Sequence, residues 1–195
     1  MTINDIQRVT TTEFEAFIAH PENAARRFEL IDGEIVEKAM PTEQHGMIEG
    51  RFSQVLNNYF DVHAEIEARV VGNARYRPTD DPENDRLPDV AVVLGNRPIT
   101  RRGAANFIPH LCIEIQSPDD RLKTMRKKAD FYLENGALCA LVVRPAKRTI
   151  EVYSADDELA LLTAADMLIF PDLLPGFSIA VDKLFPPADR IEDES

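Results

Sequence analysis

Two cysteines and four histidines are all that the 195-residue chain offers as thiolate or imidazole metal ligands. Cys112 and Cys139 each sit inside a short apolar run, which suits burial as small hydrophobes better than a disulfide. A reducing, cytoplasmic setting is therefore expected. His20, His45, His63 and His110 are scattered, and no Cys/His cluster has zinc spacing. Long apolar runs are missing too: residues 138–143 form one of the longest, far below the roughly 20 residues of a bilayer span. No basic-then-apolar stretch opens the chain, so neither a membrane span nor export is expected. Positive charge is scarce, with 22 Lys and Arg against 34 Asp and Glu and a net charge of −12. That excludes coating of nucleic acid by bulk electrostatics and confines any phosphate contact to local basic patches. The acidic end does not account for the imbalance, since without residues 189–195 the net charge is still −9.

What remains is 44% hydrophobic residues in a length that suits one well-cored domain. There is no internal repeat and no low-complexity stretch. The expected organisation is one domain over residues 1–187, followed by an acidic, disordered tail over 188–195. Thr12 with Glu15 three positions later reads as a capping box for a short helix ending near Pro21. Asp32-Gly33, flanked by Phe28-Glu29-Leu30-Ile31 and Glu34-Ile35-Val36, is a two-residue hairpin signal. From 43 to 60 the residues Ile48, Phe52, Val55, Leu56 and Tyr59 recur at helical steps, with His45 and Glu49 sharing one side. Strand patterns follow at 66–70, 74–77, 86–94 and 110–116, then a helix over about 123–135 that Gly136 is placed to end. A buried strand over 138–143, a turn at 145–148 and a strand over 149–153 complete a strand–strand–helix–strand core. Beyond it, residues 159–185 hold a short hairpin-like segment and a turn at Pro175-Gly176.

The candidate chemistry lies in the middle of this pattern. Pro88-Asp89 opens one strand, and Glu114 falls inside the next, in the otherwise apolar Leu111-Cys112-Ile113-Glu114-Ile115-Gln116. A carboxylate in a core strand is costly unless a cation compensates it. Two carboxylates on neighbouring strands could share a divalent ion, which would acidify an attacking water and neutralise charge building on phosphorus. Alternation puts Glu114 and Gln116 on one face of the strand. In the following helix, Lys128 shares a side with Met125, Ala129 and Tyr132, whereas Lys127 shares one with Lys123, Asp130 and Glu134. Lys128 is thus the ammonium expected to face the sheet and stabilise developing negative charge. Each residue also has a plain structural reading. Asp89 could be a turn residue, Glu114 the partner of Arg75 or Arg77, Lys128 a snorkelling surface lysine, His45 a helix-start residue, and Glu29 and Glu34 solvated hairpin positions. Ser117 in Ser117-Pro118-Asp119 reads as helix entry rather than a nucleophile.

Taken together, several segments resemble the Uma-two family of the PD-(D/E)XK nuclease superfamily. They are Arg27-Phe28-Glu29-Leu30-Ile31-Asp32-Gly33-Glu34, Arg86-Leu87-Pro88-Asp89-Val90-Ala91-Val92-Val93, Glu114-Ile115-Gln116-Ser117-Pro118-Asp119-Asp120-Arg121, Lys128 with Tyr132, and Leu174-Pro175-Gly176-Phe177-Ser178. The resemblance implies an α/β, restriction-endonuclease-like core, a mixed sheet flanked by helices, with an N-terminal helix and β-hairpin extension. It further implies Asp89, Glu114 and the backbone carbonyl of Ile115 as ligands of Mg2+, for which Mn2+ could substitute. A contribution from Glu34 or Glu29 in the hairpin and from His45 is implied as well. DNA is the expected substrate, a homodimer the expected assembly, and no small-molecule cofactor is expected. Arg97, Arg101, Arg102, Arg121 and Arg126 are the candidate phosphate contacts. The superfamily carries a lysine two residues after the second acid, where this chain has Gln116. Either the lysine has moved to the helix as Lys128, with Gln116 assisting through its amide, or the site is degenerate and the fold serves as an interaction module.

Overall fold

The computed structural model describes residues 8–154 and 159–191. The chain forms two compact units, one from residues up to Met40 with Ala74–Leu87 and Ile99–Ile108, the other from Pro41–Asn73, Pro88–Pro98 and everything from Pro109 onward.

In the smaller unit, helix α1 (Thr11–Ala19) is capped by Thr10, two residues earlier than the sequence suggests. Two Thr-x-x-Glu pairs overlap in Thr10-Thr11-Thr12-Glu13-Phe14-Glu15, and the box that forms is Thr10 with Glu13. The Glu13 amide donates to Thr10 Oγ1 at 3.3 Å, and the Thr10 amide donates to Glu13 Oε2 at 2.8 Å. Glu15 is drawn elsewhere, onto the guanidinium groups of Arg75 and Arg77. Strands β1 (Arg27–Ile31) and β2 (Glu34–Lys38) pair antiparallel around Asp32 and Gly33. Their φ angles of 49° and 76° are both positive, as a type I′ turn requires. Phe14, Phe28 and Leu30 form the core of this unit. Residues 74–77, expected as a strand, make only isolated bridges from Tyr76 to Arg86 and Ala105. Pro78, which has no amide hydrogen and restricts the residue before it, stops the pattern there.

The larger unit opens with α2 (Glu43–Val62), capped by Thr42, whose hydroxyl accepts from the His45 amide at 3.2 Å. A six-stranded sheet runs in the order β3 (Ala68–Gly72), β4 (Val90–Leu94), β5 (Leu111–Ile115), β6 (Cys139–Arg144), β7 (Thr149–Ser154) and β8 (Ala160–Leu162). The strand expected over 86–94 begins only at Val90. Pro88 breaks the ladder, and Arg86 pairs with Tyr76 instead. All neighbours are antiparallel except β5 and β6, which run parallel and are joined by α3 (Leu122–Glu134). Gly136, with φ of 98°, follows the helix. A separate pair, β9 (Met167–Phe170) and β10 (Leu174–Ala180), slips register between Leu174 and Ser178. Pro175-Gly176 is therefore a bulge inside a strand rather than a turn between elements.

Strand alternation sorts the two sheet faces. Val90, Val92, Leu111, Ile113, Ile115, Leu141 and Val143 pack with Ile48, Phe52 and Leu56 of α2. Each such buried side chain contributes roughly 1.5–3 kcal/mol. The opposite face, with Cys112 and Glu114, meets α3 through its buried residues Met125, Ala129 and Tyr132. Cys112 and Cys139 are buried free thiols, and burial pushes Cys139 up to about 12. Ala188–Arg190, at the start of the expected tail, make a single 3-10 turn, and residues 192–195 lie outside those described.

Candidate active site

Asp89 sits one residue before β4, where the ladder to β5 ends. Its amide donates to the Ile113 carbonyl at 3.1 Å, and its own Oδ2 accepts the Ile115 amide at 2.8 Å. The register pairs Val90 with Ile113, so one further step sets Asp89 across from Glu114. Asp89, in the bend before β4, meets its partners from α2 and β5, and Glu114 lies on the face that α3 covers. The two acids are 1% and 3% exposed, so each carboxylate depends on partners for its stability.

Those partners come from both helices. His45, in the first turn of α2, places Nε2 at 3.3 Å from Asp89 Oδ2. Its Nδ1 is buried, has no hydrogen-bond partner among the described residues, and lies 4.0 Å from Oε2 of Glu49 one helical turn on. Glu49 also accepts a hydrogen bond from Asn73, whose amide donates to the Asp89 carbonyl at 3.2 Å. Space is tight there: a Cβ on Gly72 would stand 3.2 Å from Glu49 Oε1. On the other side, the two oxygens of Glu114 are divided between neighbours on α3. Tyr132 donates its hydroxyl to Oε1 at 2.6 Å, and Lys128 donates to Oε2 at 3.3 Å.

Lys128 is only 12% exposed, so it does not snorkel into solvent. Arg75 and Arg77, the alternative partners for Glu114, bind Glu15 and Asp85 within the smaller unit. Gln116 donates its side-chain amide to the Asp120 carbonyl at 3.0 Å, while the Asp120 carboxylate accepts from the Ser117 amide at 2.8 Å. Gln116 thus staples the loop between β5 and α3, and Ser117 belongs to that turn.

The remaining sequence candidates are dispersed. Glu34 is an exposed residue of β2, and Glu29 is buried with Oε1 accepting from the Leu87 amide at 2.9 Å, both in the smaller unit. Arg101 and Arg102 are exposed in the same unit, whereas Arg97 and Arg121 are exposed in the larger one. Arg126 is engaged in a two-pronged pair with Glu151, Nε to Oε2 at 2.8 Å and Nη2 to Oε1 at 2.7 Å. Glu151 itself is 1% exposed and also accepts from Tyr153 at 2.8 Å. Sequence reasoning had not singled out this buried acid, although Glu-x-Tyr alternating within a strand next to the Arg126 helix was its available trace. Tyr132 entered there as the mark of a helix face and, with Lys128, as part of the resemblance, without a role; the four-residue step from Lys128 was the signal that both reach one carboxylate.

The donor set decides which ion could bind. Among the described residues, no three His, Cys, Asp or Glu side chains stand close enough to cage a metal. That does not suit zinc, which wants three or four such ligands. Asp89 and Glu114 each offer hard carboxylate oxygens, the donor type of which Mg2+ takes one or two before completing its shell with water.

The mixed sheet, with its one parallel strand pair bridged by a helix, is the α/β core that the sequence resemblance implies. The solved structures bear this out: the chain matches one described as "a putative nuclease belonging to DUF820" from Anabaena variabilis with a TM-score of 0.77 and 23% identity, over 91% of this chain and 97% of that one. The family described as "Putative restriction endonuclease" (Uma2) matches residues 13–182, and the chain belongs to it. No curated protein matches the chain. Among the described residues, no helix is long and apolar enough to cross a membrane.

Proposed function

We propose that this protein is a magnesium-dependent endonuclease that hydrolyses DNA phosphodiester bonds, working from Asp89 and Glu114. The observation that carries the reading is the Asp89 carboxylate on the amide of Ile115, the residue that follows Glu114, in a chain of the Uma2 family. Asp89, Glu114 and the Ile115 carbonyl would hold the ion. When bound, Mg2+ supplies charge neutralisation at phosphate and a more acidic water. The protein's own groups do the rest. Lys128 keeps an ammonium against Glu114, where it offers positive charge to a phosphate entering the site. His45 braces Asp89, and Gln116 holds the loop that leads into α3. Arg97, Arg101, Arg102 and Arg121 are exposed cations suited to backbone phosphates. A homodimer would supply one site per strand.

The test is plasmid nicking with Mg2+: wild type should nick and Glu114→Ala should not, and equal behaviour removes the catalytic assignment. A second reading, a nuclease fold kept as an interaction module, draws on one observation. The position that usually carries the lysine holds Gln116, and its amide is spent on Asp120. Calorimetry separates the two: Mn2+ binding that is lost in Asp89→Asn supports the enzyme, and no binding by wild type supports the module.

A further inference from the structure

We propose that Tyr132 is a positioning residue for Glu114, fixing the carboxylate through Oε1 so that Oε2 is the oxygen presented to cations. The proposal rests on Glu114 serving as an ion-holding group, and it goes beyond that reading by naming what orients the group.

Lys128 and Tyr132, both partners of Glu114, differ in kind. Lys128 brings a full positive charge to Oε2 at 3.3 Å, a separation at the long end for a hydrogen bond. Tyr132 brings a neutral donor to Oε1 at 2.6 Å, the short range of an O–H donating to a carboxylate. A neutral hydroxyl orients a carboxylate without cancelling its charge, so it does not compete with a cation as an ammonium does. Orientation has to come from somewhere, because the terminal torsion of a glutamate is broad and roughly two-fold.

Tyr132 itself is well anchored for this. Its side chain is fully buried, and it projects from the same face of α3 as Met125 and Ala129, both also buried. A phenol at that depth that lost its carboxylate would bear the cost of a buried polar group without that partner. The hydrogen bond is therefore favoured from both ends. Donors of this kind behind a ligand carboxylate commonly set metal affinity, and removing one costs about 10- to 100-fold.

The experiment uses the full chain and Tyr132→Phe, which keeps the ring and removes one oxygen. Mn2+ affinity is read by calorimetry, nicking as separate kcat and KM, and folding as Tm. The expected result is Mn2+ binding weakened by about 10-fold or more, with kcat lowered and KM for DNA unchanged. In an E114Q background, Y132F should bring no further loss of Mn2+ binding, because its effect runs through Glu114. A lower Tm with wild-type Mn2+ affinity and kcat would overturn the proposal and make the contact purely structural. Wild type that binds no Mn2+ would instead overturn the ion-holding reading and this proposal with it. Should Y132F fail to fold, wild type still decides. A slowly exchanging tyrosine hydroxyl proton should be visible by NMR and shift on saturation with Mg2+, and an unmoved resonance overturns the coupling.

Discussion

The Nε2 atom of His45 lies 3.3 Å from Oδ2 of Asp89, with both side chains out of solvent. That same oxygen accepts the Ile115 amide, so the carboxylate is gripped from α2 and from β5 at once. Removing the imidazole leaves a buried carboxylate with one fewer partner, a loss worth about 1–3 kcal/mol. His45→Ala should therefore lower the unfolding free energy in urea by about that amount and depress nicking. Full nicking alongside reduced stability would show that His45 braces the fold and not the chemistry.

Lys128 addresses Oε2 of Glu114, the oxygen that the proposed site would offer to an ion. Lys128→Met keeps most of the apolar stem and removes the charge, so nicking should fall by about 100-fold, the usual consequence of deleting a charge that stabilises a transition state. Mn2+ affinity should be unchanged or tighter, since a competing cation has gone. Calorimetry and nicking on the same preparation check this pair of outcomes. A parallel loss of affinity would mean that Lys128 organises Glu114 rather than serving the phosphate.

Arg126 was expected among the phosphate contacts, yet its guanidinium spans both oxygens of Glu151. That pairing fastens α3 to β7. Arg126→Ala should lower Tm and leave the salt dependence of DNA binding as it is. Arg97→Ala and Arg121→Ala, by contrast, should each reduce the slope of log K against log salt by about 1. A reduced slope in R126A would return Arg126 to the phosphate-contacting surface.

The contrast between Arg126 and Asp32-Gly33 shows what the sequence could reveal. A type I′ turn is decided by two residues whose backbones tolerate positive φ, so the hairpin was readable locally, as were the stripe of α2 and the β5–α3–β6 segment. That Asp89 and Glu114 are buried acids in need of partners was legible from the apolar residues around them. The partner of Arg126 was not, because Glu151 lies two elements further along and only the fold brings it near. The slip from Thr12 to Thr10 had another cause. Two overlapping boxes are locally equivalent, and the choice fell to tertiary contacts of Glu15 with Arg75 and Arg77. Pro175-Gly176 carries an ordinary turn signal, and only the pairing of β10 with β9 turns it into a bulge.

Asp85 gives the smaller unit a pH dependence of its own. Burial raises its carboxyl from 3.8 to about 6, against the pull of Arg75 and Arg77. In the folded chain Asp85 therefore holds its proton to higher pH than in the unfolded chain. The stability it contributes is present in full below 3.8 and is lost as pH rises through about 6, a change on the order of 2–3 kcal/mol at most. Glu15 runs the other way. Burial raises its carboxyl, but Arg75 and Arg77 outweigh that and bring it below 4.5, so its contribution is present above 4.5 and fades as pH falls. Between pH 5 and 7 the Asp85 effect dominates, because Glu15 is already ionised in both states. Wild type should thus lose Tm from pH 5 to 7 relative to Asp85→Asn, which cannot titrate. Matching Tm profiles for the two proteins over that range would mean that Arg75 and Arg77 hold Asp85 ionised throughout it.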